Sequence, residues 1–417
     1  MRKFLILLIC LISVTGCKSK DNIIKNPSDF IYNDKYQNEI TPESIYIKHY
    51  KNKDDTYTMF LFSSPIAFEK DNKIIEIDNS IVKSDNPNFS FMNKCNDIRI
   101  YFPNNIHNEI YLYDKNIKLK ISLYDNLLKF SSPQIVNFKN IYGTKVEALK
   151  YSNNNMDIYL YPTIFGIRIQ LELKSSALNQ ISFNINSNLN VNIEKNKFYI
   201  LGYDSFVNNS FYYIIQNPLV FTKNSIDYNY KTEFFKNNNN NNILRFSFNN
   251  TDRKIIDFSI DLYKKKMLDC SIYSALNYNC FLSNISMLGE SNYGTGVHML
   301  KNNISDYINL PNNIIDFKYC FRKLYSTNDD DNIDVFKNND DWASSTITWN
   351  QSTITSAYIR QITSYNNYYQ IDLNKLIKNN INFDYGFSLK KKSAISIIGT
   401  NDNNMYCPYY IIKYKKE

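Results

Sequence analysis

The chain has 417 residues, a formal net charge of +8, 43% apolar and 21% charged residues, proportions that exclude a disordered tail and a polytopic membrane protein and call for folded domains. Aromatic residues reach 15%, as 35 Tyr, 27 Phe and 2 Trp, rigid half-polar rings suited to packing sheets or lining grooves. Only 9 glycines are present, which argues against a phosphate-cradling loop or a Gly-rich doubly wound sheet.

In chain order, Arg2 and Lys3 precede an apolar run, Phe4 to Ile12, too short to span a bilayer and suited to the core of a secretory signal. It ends in Val14-Thr15-Gly16-Cys17, which resembles the lipobox of bacterial lipoproteins. That resemblance implies that residues 1–16 are a signal peptide and that Cys17 accepts diacylglycerol and becomes the mature N-terminus. The expected address is the cell envelope, facing outside the cytoplasm, with a membrane as partner through the N-terminal lipid. Residues 17–43 are polar and without periodicity, which predicts a tether.

From residue 44 to 265 the dominant signal is period-2 alternation. Ile117, Leu119, Ile121 and Leu123 interleave with polar residues, and Ile167, Ile169, Leu171 and Leu173 do the same, which predicts half-buried antiparallel strands. Ile181, Phe183 and Ile185 repeat the pattern with Asn and Ser on the wet face, and so do Leu189, Val191 and Ile193. The run Asn237 to Asn242 falls between two strand-like stretches, Asp227 to Phe235 and Ile243 to Phe248, and reads as the loop of a long hairpin. Lys264-Lys265-Lys266 marks a domain boundary. Helical pattern is confined to Asp372 to Lys378, where Asp372 can cap and Leu373, Leu376 and Ile377 share a face. The fold class expected is all-β: an N-terminal antiparallel β-rich region, then a second β domain over 266–417.

The C-terminal stretch carries ordered landmarks. These are Asn292-Tyr293-Gly294, Ile308-Asn309-Leu310-Pro311, Trp342 to Asn350 with its Thr348-Trp349-Asn350, Ile371-Asp372-Leu373 and Asp384-Tyr385-Gly386-Phe387-Ser388-Leu389. In letters, order and spacing they resemble the DNRLRE-type (disaggregatase-related) domain of bacterial and archaeal surface proteins. The resemblance implies a jelly-roll-like β-sandwich, found in repetitive surface proteins and in some relatives as a carbohydrate-binding module, and it implies no catalysis.

Trp342, with Tyr365, Tyr368 or Tyr369, forms the candidate ligand-binding set, because aromatic faces stack on the C–H faces of sugar rings. The competing reading places these rings in the inter-sheet core, where a large aromatic on an alternating strand packs. No catalytic motif is found: Gly294-Thr295-Gly296 meets Met299 where a third glycine is needed, and Gly-x-Ser-x-Gly, His-Glu-x-x-His and P-loop patterns are absent. Tyr293 and His298 could serve a polysaccharide lyase as base and acid. Asp329 to Asp331 and Asp340-Asp341 lack EF-hand spacing and read as solvated loops. After processing, Cys95, Cys270, Cys280, Cys320 and Cys407 remain, without zinc-site spacing, and read as buried thiols. No cofactor and no metal is expected, and short lysine clusters without interleaved stacking residues argue against nucleic acid. The function expected is a non-catalytic adhesive or carbohydrate-binding role, with a polysaccharide or extracellular-matrix ligand; a purely structural envelope lipoprotein and a polysaccharide-degrading enzyme are the alternatives.

Overall fold

The computed structural model describes residues 25–30, 38–40, 44–114, 117–125, 127–174, 178–187, 192–193, 199–200, 211–215, 218–222, 226–227, 229–238, 240–249, 254–264, 268–273, 285–291, 294–301, 311, 313–326, 332–339, 356–365, 367–374, 386–391, 396–399 and 407–416. Among them the chain is all-β: antiparallel sheets of eight, ten and thirteen strands and one separate hairpin, Ala67–Lys70 with Lys73–Glu76.

The eight- and ten-stranded sheets face each other and share one core. On one side Leu119, Ile121 and Leu123 of Ile117–Leu123 lie beside Phe183 and Ile185 of Gln180–Ser187, in the register Ile121↔Ile185 and Leu123↔Phe183. On the other, Ile167, Ile169 and Leu171 of Gly166–Leu173 lie beside Ile256, Phe258 and Ile260 of Ile255–Lys264. Phe183, Phe246 and Phe258 bridge the layers edge to face, with centroids 4.8 to 6.4 Å apart. Alternation alone aims these side chains inward, and each fully buried one contributes about 1.5–3 kcal/mol. Gly166 is required where the two strands meet, because a Cβ there would lie 2.0 Å from the Ile260 carbonyl oxygen.

The thirteen-stranded sheet folds over on itself into a second β-sandwich. Its long strand, Asn313–Ser326, pairs with Tyr409–Lys415 and Tyr368–Asp372 and then, from Lys323 on and with an irregularity between Lys323 and Tyr325, with Ser396–Gly399. Leu61, Phe317, Tyr319, Tyr410 and Ile412 of one layer thereby meet Ile333, Val335, Phe387 and Leu389 of the other in one core.

Two segments sit differently from the sequence expectation. The strands Ile47–Lys51 and Tyr57–Phe62, expected in the 44–265 region, belong to the C-terminal sandwich, where Tyr57–Phe62 pairs along its length with Tyr409–Lys415. Inserted between them and the rest of that sandwich is the whole two-sheet body. Parts of the expected tether are also folded. Asn26, 3% exposed, donates from Nδ2 to the carbonyls of Ile66 (2.7 Å) and Ile77 (2.8 Å), and Asn38–Ile40 is the edge strand beside Ile47–Lys51. A polar side chain that satisfies two buried carbonyls gives the segment a reason to dock that hydropathy does not report. The helix expected over Asp372 to Lys378 falls mostly outside the described residues; Asp372 ends a strand, and its Oδ1 accepts the Asn374 N–H at 2.9 Å. Leu189 and Val191 lie outside them as well.

The two bodies touch. Arg322 donates from Nη2 to Thr144 Oγ1 at 3.1 Å, Tyr325 meets the ring of Phe221 at 5.7 Å, and Leu324 is buried with Tyr142, Val146 and Tyr161.

Candidate functional site

On the solvent side of the eight-stranded sheet, a groove of about 510 Å³ is lined by Tyr124, Asp125, Gln180, Ser182, Asn184, Asn237, Asn241 and Arg245. Its floor follows from alternation. Ile181, Phe183 and Ile185 point into the core, so Gln180, Ser182 and Asn184 point out along the same strand. Pairing sets Arg245 opposite Ser182, and Arg245 Nε donates to Ser182 Oγ at 3.4 Å.

The walls are two loops. One is the turn of the Asn run: the Asn237 and Asn241 backbones close it, Asn241 N–H also donates to Asn237 Oδ1 at 2.9 Å, and Asn240 holds φ +62°. Asn tolerates that left-handed conformation better than other non-glycine residues. The other wall is the 124–128 turn, in which Tyr124 N–H donates to the Ser182 carbonyl at 2.9 Å and Leu127 N–H to Asp125 Oδ1 at 3.1 Å. Beneath it His107 Nε2 lies 2.6 Å from the Leu128 carbonyl, so the ring N–H is the donor and pins the turn.

The arrangement joins a half-exposed ring, Tyr124, with amides, a hydroxyl, one carboxylate and one guanidinium. The Arg245 guanidinium lies over the Phe235 ring, 4.7 Å from its centroid. Asn184 Nδ2 donates to Ser122 Oγ at 3.3 Å, while its Oδ1 accepts no hydrogen bond from the protein. Beside the groove, the hydrogen bond from Lys231 holds the Glu233 carboxyl below its ordinary value. Among the described lining residues Asp125 is the one carboxylate.

The residues singled out from sequence are scattered. Cys17, Trp342, Trp349, Tyr293, Cys280 and the aspartates at 329–331 and 340–341 lie outside the described residues. Tyr365 is 80% exposed at a turn in which it and Tyr368 exchange both backbone hydrogen bonds. Tyr368 packs its ring near Tyr409 (6.3 Å) and under Arg322, and burial pushes its phenol up. Tyr369 must be withdrawn as a ligand contact. It is 0% exposed and stacks on Phe321 at 5.2 Å inside the sandwich core, because residues 369 and 371 take the inward positions of their strand. His298 is 1% exposed, and burial lowers its imidazole to about 3; a sealed, neutral ring does not meet the demands of a lyase acid. Cys320 and Cys407 are buried free thiols and Cys95 a half-buried one. Sequence reasoning missed Tyr124, Asp125 and Arg245. The available signal was the polar half of the 180–187 alternation together with the neighbouring Asn run.

A second polar constellation is closed to solvent. On the outer face of the ten-stranded sheet Arg168 Nη2 donates to Asp257 Oδ2 (2.5 Å) and to Tyr142 Oη (2.7 Å), and Tyr142 donates in turn to Asp257 at 2.7 Å. Burial disfavours the guanidinium charge, but the Asp257 carboxylate outweighs it and holds Arg168 well above its ordinary value. Burial, foremost, raises the Tyr142 phenol. With Asp257 1% and Arg168 5% exposed, this triad braces the sheet rather than meeting a ligand.

No family model matches the chain, and no curated protein matches it. Among the described residues no group of His, Cys, Asp and Glu could hold a metal ion, and no helix is long and apolar enough to cross a membrane.

Proposed function

We propose that the protein is a lipid-anchored, surface-facing component of a cell envelope that binds carbohydrate without cleaving it. The anchor is the diacylglycerol on Cys17, and the C-terminal sandwich is of the DNRLRE type with jelly-roll connectivity. The observation that carries the binding role is the groove on the eight-stranded sheet. Planar amides and a guanidinium present paired donors and acceptors to vicinal hydroxyls, and the Tyr124 ring offers a face for stacking.

The test is retention of unlipidated residues 18–417 on a panel of polysaccharides and matrix proteins, with new reducing or unsaturated ends scored together. Retention without new ends, weakened at least tenfold in Tyr124→Ala and in Arg245→Ala, is the expected result. New chain ends would replace this reading with an enzyme, and no retention on a broad panel with a structural lipoprotein. For the anchor, Cys17→Ser is expected to move the protein from the membrane to the soluble fraction.

A further inference from the structure

The groove does not stop at Gln180. That side chain also lines a second cavity of about 600 Å³, with Asn179, Asn229, Tyr230, Lys231, Ser247 and Asn249 among its walls. Strand register explains the continuity. Lys231, Ser247 and Gln180 form one cross-strand row, and Glu233, Arg245 and Ser182 form the next. Gln180 and Ser182 are two residues apart on one face, a step of about 6.6–6.8 Å. The two cavities are therefore neighbours along the sheet with Gln180 common to both, and the second also takes in the strand ends, where the paired Tyr230 and Phe248 pack against the core.

Charge along this track is balanced. Lys231 is paired with Glu233 at 2.7 Å, and Arg245 stands in the same groove as Asp125. The remaining polar groups are amides and hydroxyls, among them those of Asn179, Gln180, Ser182, Asn184, Asn229 and Ser247. Each amide offers both a donor and an acceptor, which is the pattern a sugar hydroxyl presents in return. Among the described lining residues, a run of acidic groups on a ligand would meet no surplus cation.

We infer that the two cavities are consecutive subsites for one uncharged polysaccharide chain, with Gln180 as the residue that bridges neighbouring sugars. The inference rests on the carbohydrate reading of the groove and adds the ligand's charge, its extended shape and the second subsite. Occupying two subsites with one chain makes the second contact intramolecular, so affinity must grow with ligand length until both are filled.

The experiment is calorimetric titration of unlipidated residues 18–417 with ladders of oligosaccharides cut from cellulose, amylose and mannan, disaccharide to octasaccharide, with heparin as the acidic probe. On the ladder that binds, affinity is expected to rise at least tenfold between the disaccharide and the hexasaccharide. The double variant Lys231→Ala, Ser247→Ala is expected to lose that rise, its thermal melt confirming that it folds. Full affinity at the disaccharide, or a length dependence that the double variant leaves intact, would overturn the two-subsite assignment while leaving the groove a carbohydrate site. Preference for heparin would overturn the uncharged ligand. Binding of none of the probes would remove the carbohydrate reading itself, and this inference with it.

Discussion

Arg168, Asp257 and Tyr142 show what a buried charge demands of its surroundings. Each of the three is bonded to both others, so removing one leaves uncompensated polar groups in a closed space. Arg168→Ala is expected to destabilise the protein by about 3–5 kcal/mol in denaturant unfolding. The apolar pair Arg168→Met, Asp257→Leu should recover most of that loss, because it removes both charges together; a double variant no better than the single one would show that the triad also sets the strand geometry. His298 carries a pH dependence with a definite sign. Burial lowers its folded value to about 3, against about 6.5 for an unperturbed imidazole. Between those limits the unfolded chain binds the extra proton, so stability falls as pH drops from about 6.5 toward 3, by up to about 1.4 kcal/mol per pH unit. His298→Gln should flatten that limb in melts run from pH 7 to pH 4.5, and an unchanged slope would place the proton uptake elsewhere.

At the scale of elements, alternation made single strands legible and left their partners hidden. The inward set Ile167, Ile169 and Leu171 is readable from seven consecutive residues, and so is the hairpin around the Asn run, observed as Tyr230–Lys236 with Asn242–Phe248. That Tyr57–Phe62 pairs with Tyr409–Lys415 is not readable. Burial of Met59, Leu61, Tyr410 and Ile412 is satisfied by any sheet of the right face, and local pattern carries no information about a partner more than 300 positions away. The groove was half legible for the same reason: Gln180, Ser182 and Asn184 are a local pattern, whereas Tyr124, Asp125 and Arg245 arrive through pairing. Tyr369 was misjudged because its neighbour Tyr368 has the same chemistry and only the strand's phase separates them. A direct consequence concerns fragments. Residues 266–417 alone are expected to give no cooperative unfolding transition, since the edge of Tyr409–Lys415 would be bare and the core would lose Ile47, Met59 and Leu61, whereas residues 38–417 should unfold cooperatively. In the full chain Leu61→Ala is expected to cost about 2–5 kcal/mol, and a cooperative 266–417 fragment would count against the shared sandwich.

For the whole molecule, the described contacts between the two bodies include a hydrogen bond from Arg322, a ring pair at Tyr325 and a buried leucine, Leu324. Leu324 is 6% exposed, and its replacement by Asp would put an unpaired carboxylate among Tyr142, Val146 and Tyr161. Leu324→Asp is expected to loosen the bodies and split one thermal transition into two, with a larger radius of gyration in small-angle scattering. A single transition at a lower temperature would mean that the bodies unfold as one unit.

The pairing of Tyr57–Phe62 with Tyr409–Lys415 also orders events during synthesis. The first of these strands leaves the ribosome roughly 350 residues before the strand that covers its edge, and such non-local pairings form late. The inserted body contains its own partners and can close while the chain is still growing. A chain cut short before Tyr409 would keep that body but expose the open edge and the apolar face of Tyr57–Phe62, the kind of surface that aggregates or is degraded. Shelter for the early strands thus waits on Tyr409–Lys415: their edge is covered only when that strand has been made.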